Sequence, residues 1–239
     1  TLRHYFNIQM HRDRRIRGSY SVYPLKTSTF NFDLQEFKEV DEQLAETALV
    51  SYLYYENGKI KVDKKSPKHR FGDMFDDNQQ LIANSIGKSM VSYILGHAIV
   101  KGYIKSIDEK MDWDILKNTL YYNQPIINLI NMSAADAGYF QKSGNRYLKT
   151  MSYGNGNVNN YTIRQIMESL VNSEPAREEW FYNGLLPNIV INYIIHKVGN
   201  EEKYIEFLNE IFQKKVGIHN EVFFVKRNQC CSYKDGFSK

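Results

Sequence analysis

The sequence predicts a mixed α/β (α+β) fold with a helical insertion, and two observations lead to this prediction. Residues 47–55 are rich in β-forming side chains, and Asn57-Gly58 supplies hairpin turn chemistry before a second strand at Lys59 to Asp63. Apolar residues then recur at helical spacing through the middle and the last third of the chain. Strands at the start followed by helices favour an α/β domain into which helices are inserted.

The elements are expected in a simple order along the chain. The patterns predict a helix at 34–45, strands at 47–55 and 59–63, a strand-like lead-in at 81–84, a buried helix at 90–104, and helices at 126–132, 161–171, 186–198 and 204–216. We expect residues 1–110 to begin the α/β domain, residues 111–180 to form the helical subdomain, and residues 181–239 to return to the α/β domain.

Composition excludes several classes of function. The chain has 239 residues and is 42% hydrophobic, which is enough for one large domain or a domain with an insertion. It holds no run of about 18 apolar residues, so we expect no membrane span. A net charge of +4 is too small to indicate a nucleic-acid partner. The scattered histidines and the adjacent Cys230 and Cys231 have no metal-ligand spacing, so neither a metal, a cofactor nor a disulfide framework is expected.

Ser85-Ile86-Gly87-Lys88 opens an apolar helical stretch and is the strongest candidate for catalytic chemistry. A serine hydroxyl is a weak nucleophile until a base removes its proton, and a lysine three residues later lies on the same helix face. With Asn84 as the N-cap, Ser85 stands at the positive end of the helix dipole, which disfavours an ammonium at Lys88. The alternative is a capping serine and a solvated lysine on an ordinary core helix.

The run from Leu81 to Asp108 resembles the nucleophile helix of class C β-lactamases, within the superfamily of serine β-lactamases and penicillin-binding proteins. In that family a Tyr-x-Asn motif, preceded by an aromatic residue, precedes a helix that ends in a glycine turn. Residues 180–184, Trp-Phe-Tyr-Asn-Gly, precede an apolar helix ending at Val198-Gly199, and so place Tyr182 at the family's tyrosine. Asn183 comes one position earlier than the family's asparagine, and is a candidate for its substrate-binding role.

Two further segments give alternatives within the resemblance. A literal Tyr-x-Asn triplet at Tyr153, in a Gly/Asn-rich loop, is the second choice for the tyrosine. A third alternative is that Tyr182 is one packed aromatic among 18 tyrosines. The family's third motif, a Lys-Thr-Gly triplet on a strand, follows its tyrosine. Lys142-Ser143-Gly144 precedes Tyr182 and is interpreted as a loop. No such strand follows Gly217, so we expect the C-terminal strands of the fold to be missing from the chain.

Other segments resemble one branch of the superfamily, the 6-aminohexanoate-oligomer hydrolases and related esterases. These are residues 9–16 with 23–25, the hairpin at 48–62, and the helix end at 126–133. The resemblance implies a β-lactamase/transpeptidase-like fold, with an antiparallel sheet flanked by helices. It also implies a bacterial protein of the cytoplasm, or of the periplasm or exterior if a leader was removed.

The function implied is that of a serine hydrolase acting on small ester, amide or peptide-like substrates. Ser85 would form an acyl-enzyme, Lys88 would act as general base, and Tyr182 would pass the proton to the leaving group. One alternative is a D,D-peptidase or β-lactamase acting on cell-wall-like or β-lactam substrates. Another is a binding protein that keeps the fold without catalysis, because one fold can host many functions.

Overall fold

A computed structural model of the protein describes residues 14–19, 26–27, 35–75, 81, 83–142, 162–176 and 179–224. In this part of the chain helices and strands are mixed, which confirms the α/β class predicted at that level. Several segments named above lie outside the described residues. They are 9–13, 23–25, Ser143 and Gly144, the loop that contains Tyr153, and the cysteines Cys230 and Cys231.

The strands lie mainly in the first third of the described chain, with one helix among them, and one further strand follows the last helix. The strands are β1 (Arg14–Ile16), β2 (Lys26–Thr27), β3 (Ser51–Glu56), β4 (Lys59–Lys65) and β5 (Val222–Phe224). The α-helices are α1 (Gln35–Glu46), α2 (Gly87–Val100), α3 (Ile126–Ile130), α4 (Ala137–Lys142), α5 (Ile163–Glu168), α6 (Leu185–Val198) and α7 (Glu201–Asn209). Single turns of 3-10 or π helix lie at Lys68–Gly72, Asn84–Ile86, Asp114–Leu116 and Glu210–Lys215.

The chain divides into two compact units. One spans residues 1–11, 17–82 and 216–222, and the other spans residues 12–16, 83–215 and 223–239. The division into residues 1–110, 111–180 and 181–239 stays a prediction. All of the described candidate catalytic residues belong to the second unit.

The sheet of the first unit is built on the predicted hairpin. β3 and β4 pair antiparallel, with Glu56 opposite Lys59, and the short β2 pairs parallel to β4 on its other side. Asn57 and Gly58 have φ angles of 50° and 75°, the left-handed values that a two-residue hairpin turn requires. The strand pattern and the Asn-Gly turn therefore predicted this part of the fold.

The second unit is helical around a buried α6. Its apolar side chains point to all sides of the helix, and α2, α3 and α7 pack against it. The fully or nearly fully buried residues of α6 are Leu185, Leu186, Ile189, Val190, Tyr193 and Ile194. Because a helix that is apolar all round is stable only inside a core, α6 forms the framework on which the site is assembled.

The helix predicted at 90–104 is α2, which begins earlier and ends at Val100. The Gly102 N–H donates to the Ile99 carbonyl, and the Tyr103 N–H donates to the Ala98 carbonyl. With Gly102 at a φ of 76°, these two bonds form a Schellman motif. The predicted helix was too long because the apolar pattern continues past a glycine that ends the helix.

Candidate active site

Ser85 lies on an exposed 3-10 turn, Asn84–Ile86, directly before α2. The expectation that Asn84 caps this helix with its side chain is wrong, because the cap positions of the turn and of α2 are Ala83 and Ile86 and neither makes a side-chain cap. Asn84 instead has a φ of 47°, a left-handed backbone conformation that asparagine tolerates better than most residues. The chain thereby turns immediately before Ser85, which is exposed to solvent.

Leu81 and Ala83 are not part of a strand, so the strand-like lead-in is absent at these two positions. Ile82 lies outside the described residues. The segment before Ser85 therefore differs from its predicted form, while Ser85 itself lies on the turn that leads into α2.

Lys88 lies next to Ser85, as the spacing of the motif predicts. Its Nζ atom is 3.1 Å from the Ser85 Oγ atom, which is within hydrogen-bond distance. The lysine side chain is half-buried, whereas Ser85 is exposed. A turn of helix is the distance that brings side chains three residues apart together, so this contact is set by local geometry alone.

Tyr182 completes the group from a distant part of the chain. Its hydroxyl donates a hydrogen bond of 2.5 Å to Ser85 Oγ. Lys88 Nζ lies 4.6 Å from the centroid of the Tyr182 ring, a distance typical of a cation–π contact. The structure therefore brings together the three residues that the sequence predicted as catalytic. Tyr153, the alternative, lies outside the described residues.

The surroundings of Tyr182 change its acidity. Lys88 and then the Ser85 hydroxyl stabilise the phenolate by hydrogen bonding, so the pKa of Tyr182 is lower than that of an ordinary tyrosine. Burial opposes this effect only weakly, because 44% of the residue is exposed. A phenol with a lowered pKa both gives and takes a proton more readily near neutral pH.

The backbone on each side of Tyr182 is anchored to the segment that follows α3. The Phe181 N–H donates to the Met132 carbonyl over 2.8 Å. The Asn183 Nδ2 atom donates to Asp136 Oδ2 over 2.6 Å. The position of the phenol therefore depends on residues 132–136 as well as on α6.

Asn183 itself has a supporting position. It is fully buried, and its Oδ1 atom accepts a hydrogen bond from the Leu185 N–H at the first turn of α6. Both ends of its side-chain amide are thus used within the protein. A substrate-binding role for Asn183 stays a prediction that this burial does not favour, since a substrate would have to displace the Asp136 contact.

Exposed apolar side chains flank the three residues in the sequence. Ile86, next to Ser85, is 71% exposed, and Trp180, two residues before Tyr182, is 69% exposed. The Trp180 and Tyr182 ring centroids are 6.2 Å apart. Aromatic rings at this separation contact one another at their edges or faces, so Trp180 extends the surface around the phenol.

A second group of polar residues, the acidic cluster, surrounds α6 near its end. It consists of Glu109, Asp112, Tyr193 and Lys197. The Tyr193 hydroxyl donates to Glu109 Oε1 over 2.9 Å, and Lys197 Nζ lies 3.0 Å from the same oxygen. Asp112 is a weaker partner, 3.2 Å from the tyrosine hydroxyl and 3.7 Å from the lysine. Burial first, and then the carboxylates, raise the pKa of Tyr193.

Sequence reasoning missed Asp136 and its partner Tyr121, which lie beneath the site. Asp136 is 1% exposed, and Tyr121 is fully buried and donates to Asp136 Oδ2 over 2.9 Å. The only signal in the sequence is an acid placed among small residues in Ala134-Ala135-Asp136-Ala137. A charged residue in such a stretch is a candidate for burial, because its neighbours are residue types often found in cores.

Comparisons with known proteins do not assign the chain to a family. No protein-family profile matches the chain, and no curated protein matches it.

Among the described residues, no cluster of histidine, cysteine, aspartate or glutamate could hold a metal ion. In the same part of the chain, none of the helices is both long enough and apolar enough to cross a membrane.

Proposed function

We propose that this protein is a serine hydrolase that cleaves ester or amide bonds through an acyl-enzyme on Ser85. The observation that supports it is the position of Ser85 Oγ, which lies 3.1 Å from Lys88 Nζ and 2.5 Å from the Tyr182 hydroxyl. An exposed serine with two titratable groups on its oxygen has the arrangement of an activated nucleophile. We further propose a β-lactamase/transpeptidase-like fold, on the motifs and their order in the sequence.

Acylation begins when Ser85 loses its proton and its oxygen attacks the substrate carbonyl carbon. Lys88 is the general base, and Tyr182, whose hydroxyl is hydrogen-bonded to Ser85 Oγ, passes the proton on. The carbonyl becomes tetrahedral and negatively charged. When it collapses, the bond to the leaving group breaks, and the leaving alcohol or amine takes the proton from Tyr182.

Deacylation uses the same groups in reverse. Water gives one proton to the pair formed by Tyr182 and Lys88 as its oxygen bonds to the acyl carbon, and the bond between that carbon and Ser85 Oγ then breaks. Ser85 then recovers its proton and the acid product leaves. Ser85 is exposed, so water can reach the acyl group.

The substrates proposed are short esters and linear amides. This choice depends on the resemblance of the sequence to the oligomer-hydrolase and esterase branch. A D,D-peptidase or β-lactamase would use the same serine and lysine, and the two branches differ in the substrates that acylate Ser85.

Covalent labelling tests the proposal directly. A fluorophosphonate probe is expected to modify the protein at Ser85, identified by mass spectrometry of the labelled peptide. Ser89→Ala is the matched control, because Ser89 is an exposed serine of the same helix one turn later and its loss leaves labelling unchanged. Absence of label in the folded protein, or equal labelling of Ser85→Ala, contradicts the proposal.

A fluorescent penicillin separates the two branches. Slow or no labelling by penicillin, with rapid fluorophosphonate labelling and hydrolysis of short esters, supports the esterase and amidase branch. Stable penicillin labelling at Ser85 would move the protein to the D,D-peptidase branch, and fast penicillin turnover to the β-lactamases. Folded protein that neither reagent labels is the result expected of a binding protein without catalysis.

A further inference from the structure

Asp136 is a buried acid at a place where an apolar residue would be less costly. One of its oxygens, Oδ2, accepts hydrogen bonds from both the Tyr121 hydroxyl and the Asn183 amide. The other oxygen, Oδ1, has no hydrogen-bond partner among the described residues. Removing a carboxyl group from water is expensive, and burial correspondingly raises the pKa of Asp136.

The hydrogen bonds of Asp136 lead to the candidate site. Asn183 directly follows Tyr182, and its amide lies 2.6 Å from Asp136 Oδ2. On the other side of Tyr182, the Phe181 N–H is bound to the Met132 carbonyl. The residues on both sides of Tyr182 are thus held by residues 132–136, Phe181 through its backbone and Asn183 through its side chain.

That segment has an unusual backbone of its own. Met132 and Ala135 have φ values of 59° and 56°, in the left-handed region that residues with a β-carbon seldom adopt. Because these angles are unfavourable for residues with a β-carbon, surrounding contacts are needed to hold them. A further bond, from the Ala176 N–H to the Ala135 carbonyl over 2.9 Å, is one of these contacts.

We propose that Asp136 is a positioning residue that acts through Asn183 to hold the Tyr182 hydroxyl at hydrogen-bond distance from Ser85. Tyr121 also donates to the carboxyl group, so hydrogen bonds join Tyr121 to Asp136 and Asp136 to Asn183, which is covalently linked to Tyr182. The kinetic part of this inference rests on the proposed hydrolase function. Its geometric part concerns only where the phenol lies.

The first test uses Asp136→Ala with Asp136→Asn as the conservative partner. Alanine removes the oxygen that accepts both hydrogen bonds, and kcat for ester hydrolysis is expected to fall about 10- to 100-fold through misplacement of Tyr182. KM is expected to stay close to that of the wild type, since Asp136 is buried and does not touch the substrate. Asparagine keeps an accepting oxygen at the same place and should restore most of kcat.

The second test does not need turnover. In protein labelled with ¹³Cζ-tyrosine, the Tyr182 resonance is assigned by its loss in Tyr182→Phe, and its pKa is measured by titration. In Asp136→Ala the pKa of Tyr182 should rise toward that of an ordinary tyrosine, because the phenol leaves Lys88 and Ser85. An Asp136→Ala protein that is folded and has an unchanged Tyr182 pKa overturns the inference.

Two controls separate positioning from stability. Glu109→Gln alters another buried acceptor of a tyrosine hydroxyl, in the acidic cluster, and should lower stability without changing the Tyr182 pKa. If Asp136→Ala fails to fold, Asn183→Ala breaks the same connection from its other end and is expected to raise the Tyr182 pKa. An unchanged pKa in that variant also overturns the inference.

The two proposals fail in different ways. If the wild type hydrolyses nothing and binds no fluorophosphonate, but Asp136→Ala raises the Tyr182 pKa, the hydrolase function is wrong and the positioning role stands. If the wild type is active and Asp136→Ala keeps both the wild-type kcat and the wild-type pKa, only the positioning role is wrong.

Discussion

The candidate site and the acidic cluster contain the same pair of residue types in similar contact. Lys88 Nζ lies 4.6 Å from the centroid of the Tyr182 ring, and Lys197 Nζ lies 5.1 Å from that of Tyr193. The difference is the third partner. Tyr182 donates to a serine hydroxyl, whereas Tyr193 donates to the carboxylate of Glu109.

Burial of Tyr193, together with this difference in partners, shifts the pKa values of the two phenols in opposite directions. The pKa of Tyr182 is lowered because Lys88 and Ser85 stabilise its phenolate. The pKa of Tyr193 is raised because it is buried and because nearby carboxylates repel a second negative charge. A lysine beside a tyrosine therefore lowers the pKa of the phenol where no carboxylate is bound to the pair. Where a carboxylate is present, as in the acidic cluster, the lysine forms a structural ion pair with it.

Exposure separates the two groups as well. Tyr182 is 44% exposed and Tyr193 is fully buried. The first phenol is therefore accessible to solvent, whereas the second lies in the core around α6. The comparison thus predicts that equivalent substitutions in the two groups affect different measurable quantities.

Removing the Ser85 oxygen has the largest expected effect. Ser85→Ala deletes the atom that forms the acyl-enzyme, so hydrolysis of a short chromogenic ester should fall to the uncatalysed background. Ser89→Ala, which changes an exposed serine of α2 four residues after Ser85, should keep wild-type activity. Activity in Ser85→Ala equal to the wild type would show that the nucleophile lies elsewhere.

Removing the lysine or the tyrosine distinguishes the two groups. Lys88→Ala and Tyr182→Phe should each lower kcat by about 10²- to 10⁴-fold, the range for loss of a general acid or base. The double variant should lose little more than the single ones, because the groups act as a unit. Steady-state kinetics gives these values, measured on variants that circular dichroism shows to be folded.

Tyr193→Phe provides the matched change in the acidic cluster. It should leave kcat unaltered and lower the free energy of unfolding by about 1 kcal/mol, since one hydrogen bond to Glu109 is lost. Urea unfolding of the same samples measures this. A loss of kcat comparable to that of Tyr182→Phe would contradict the assignment of separate roles.

The pH dependence of stability should have opposite signs in the two groups. Below the ordinary tyrosine pKa of about 10, the unfolded chain keeps the Tyr182 proton that the folded protein begins to lose, so the contribution of Tyr182 to stability rises with pH. Above that value, the unfolded chain loses the Tyr193 proton while the folded protein retains it, so the contribution of Tyr193 falls as pH rises.

Phenylalanine variants isolate these contributions. Urea unfolding midpoints are followed toward alkaline pH. Tyr182→Phe should remove the rise in stability just below about pH 10, and Tyr193→Phe should remove the fall in stability above that pH. Slopes of the same sign in both difference curves would show that the two phenols have similar environments.

The smallest expected effect concerns the stability of the nucleophile helix alone. Gly96 is exposed within α2, and a β-carbon added there would meet no atom within 4 Å. Gly96→Ala should therefore stabilise the protein by about 0.5–1 kcal/mol and leave hydrolysis unchanged. Differential scanning calorimetry and the ester assay measure the two quantities, and a destabilised variant would show that α2 approaches another element at this position.

Local features of the molecule were the ones that the sequence predicted well. The hairpin follows from Asn57-Gly58, since those residues accept the left-handed angles of the turn. The contact between Ser85 and Lys88 follows from their spacing, since one turn of helix brings the two side chains together. Both depend on interactions between residues only a few positions apart.

Features that depend on distant contacts were harder to predict. Tyr182 was placed near Ser85 only through a resemblance in motif order, because spacing alone carries no information about a contact between α2 and the turn before α6. Asp136 was missed because its contribution to the site comes from a hydrogen bond with Asn183, which lies 47 positions away in the chain. Asn84 was assigned the wrong role, because a side-chain cap and a left-handed backbone favour the same residue type.

The hydrogen bond between Tyr182 and Ser85 joins residues 97 positions apart, which has a consequence for refolding. Helices such as α2 form within microseconds, but contacts so distant in the chain must wait for the intervening segment to become ordered. After dilution from urea, helical circular dichroism should therefore recover before fluorophosphonate reactivity returns. The rate at which reactivity returns at Ser85 Oγ then measures the rate of the final stage of folding.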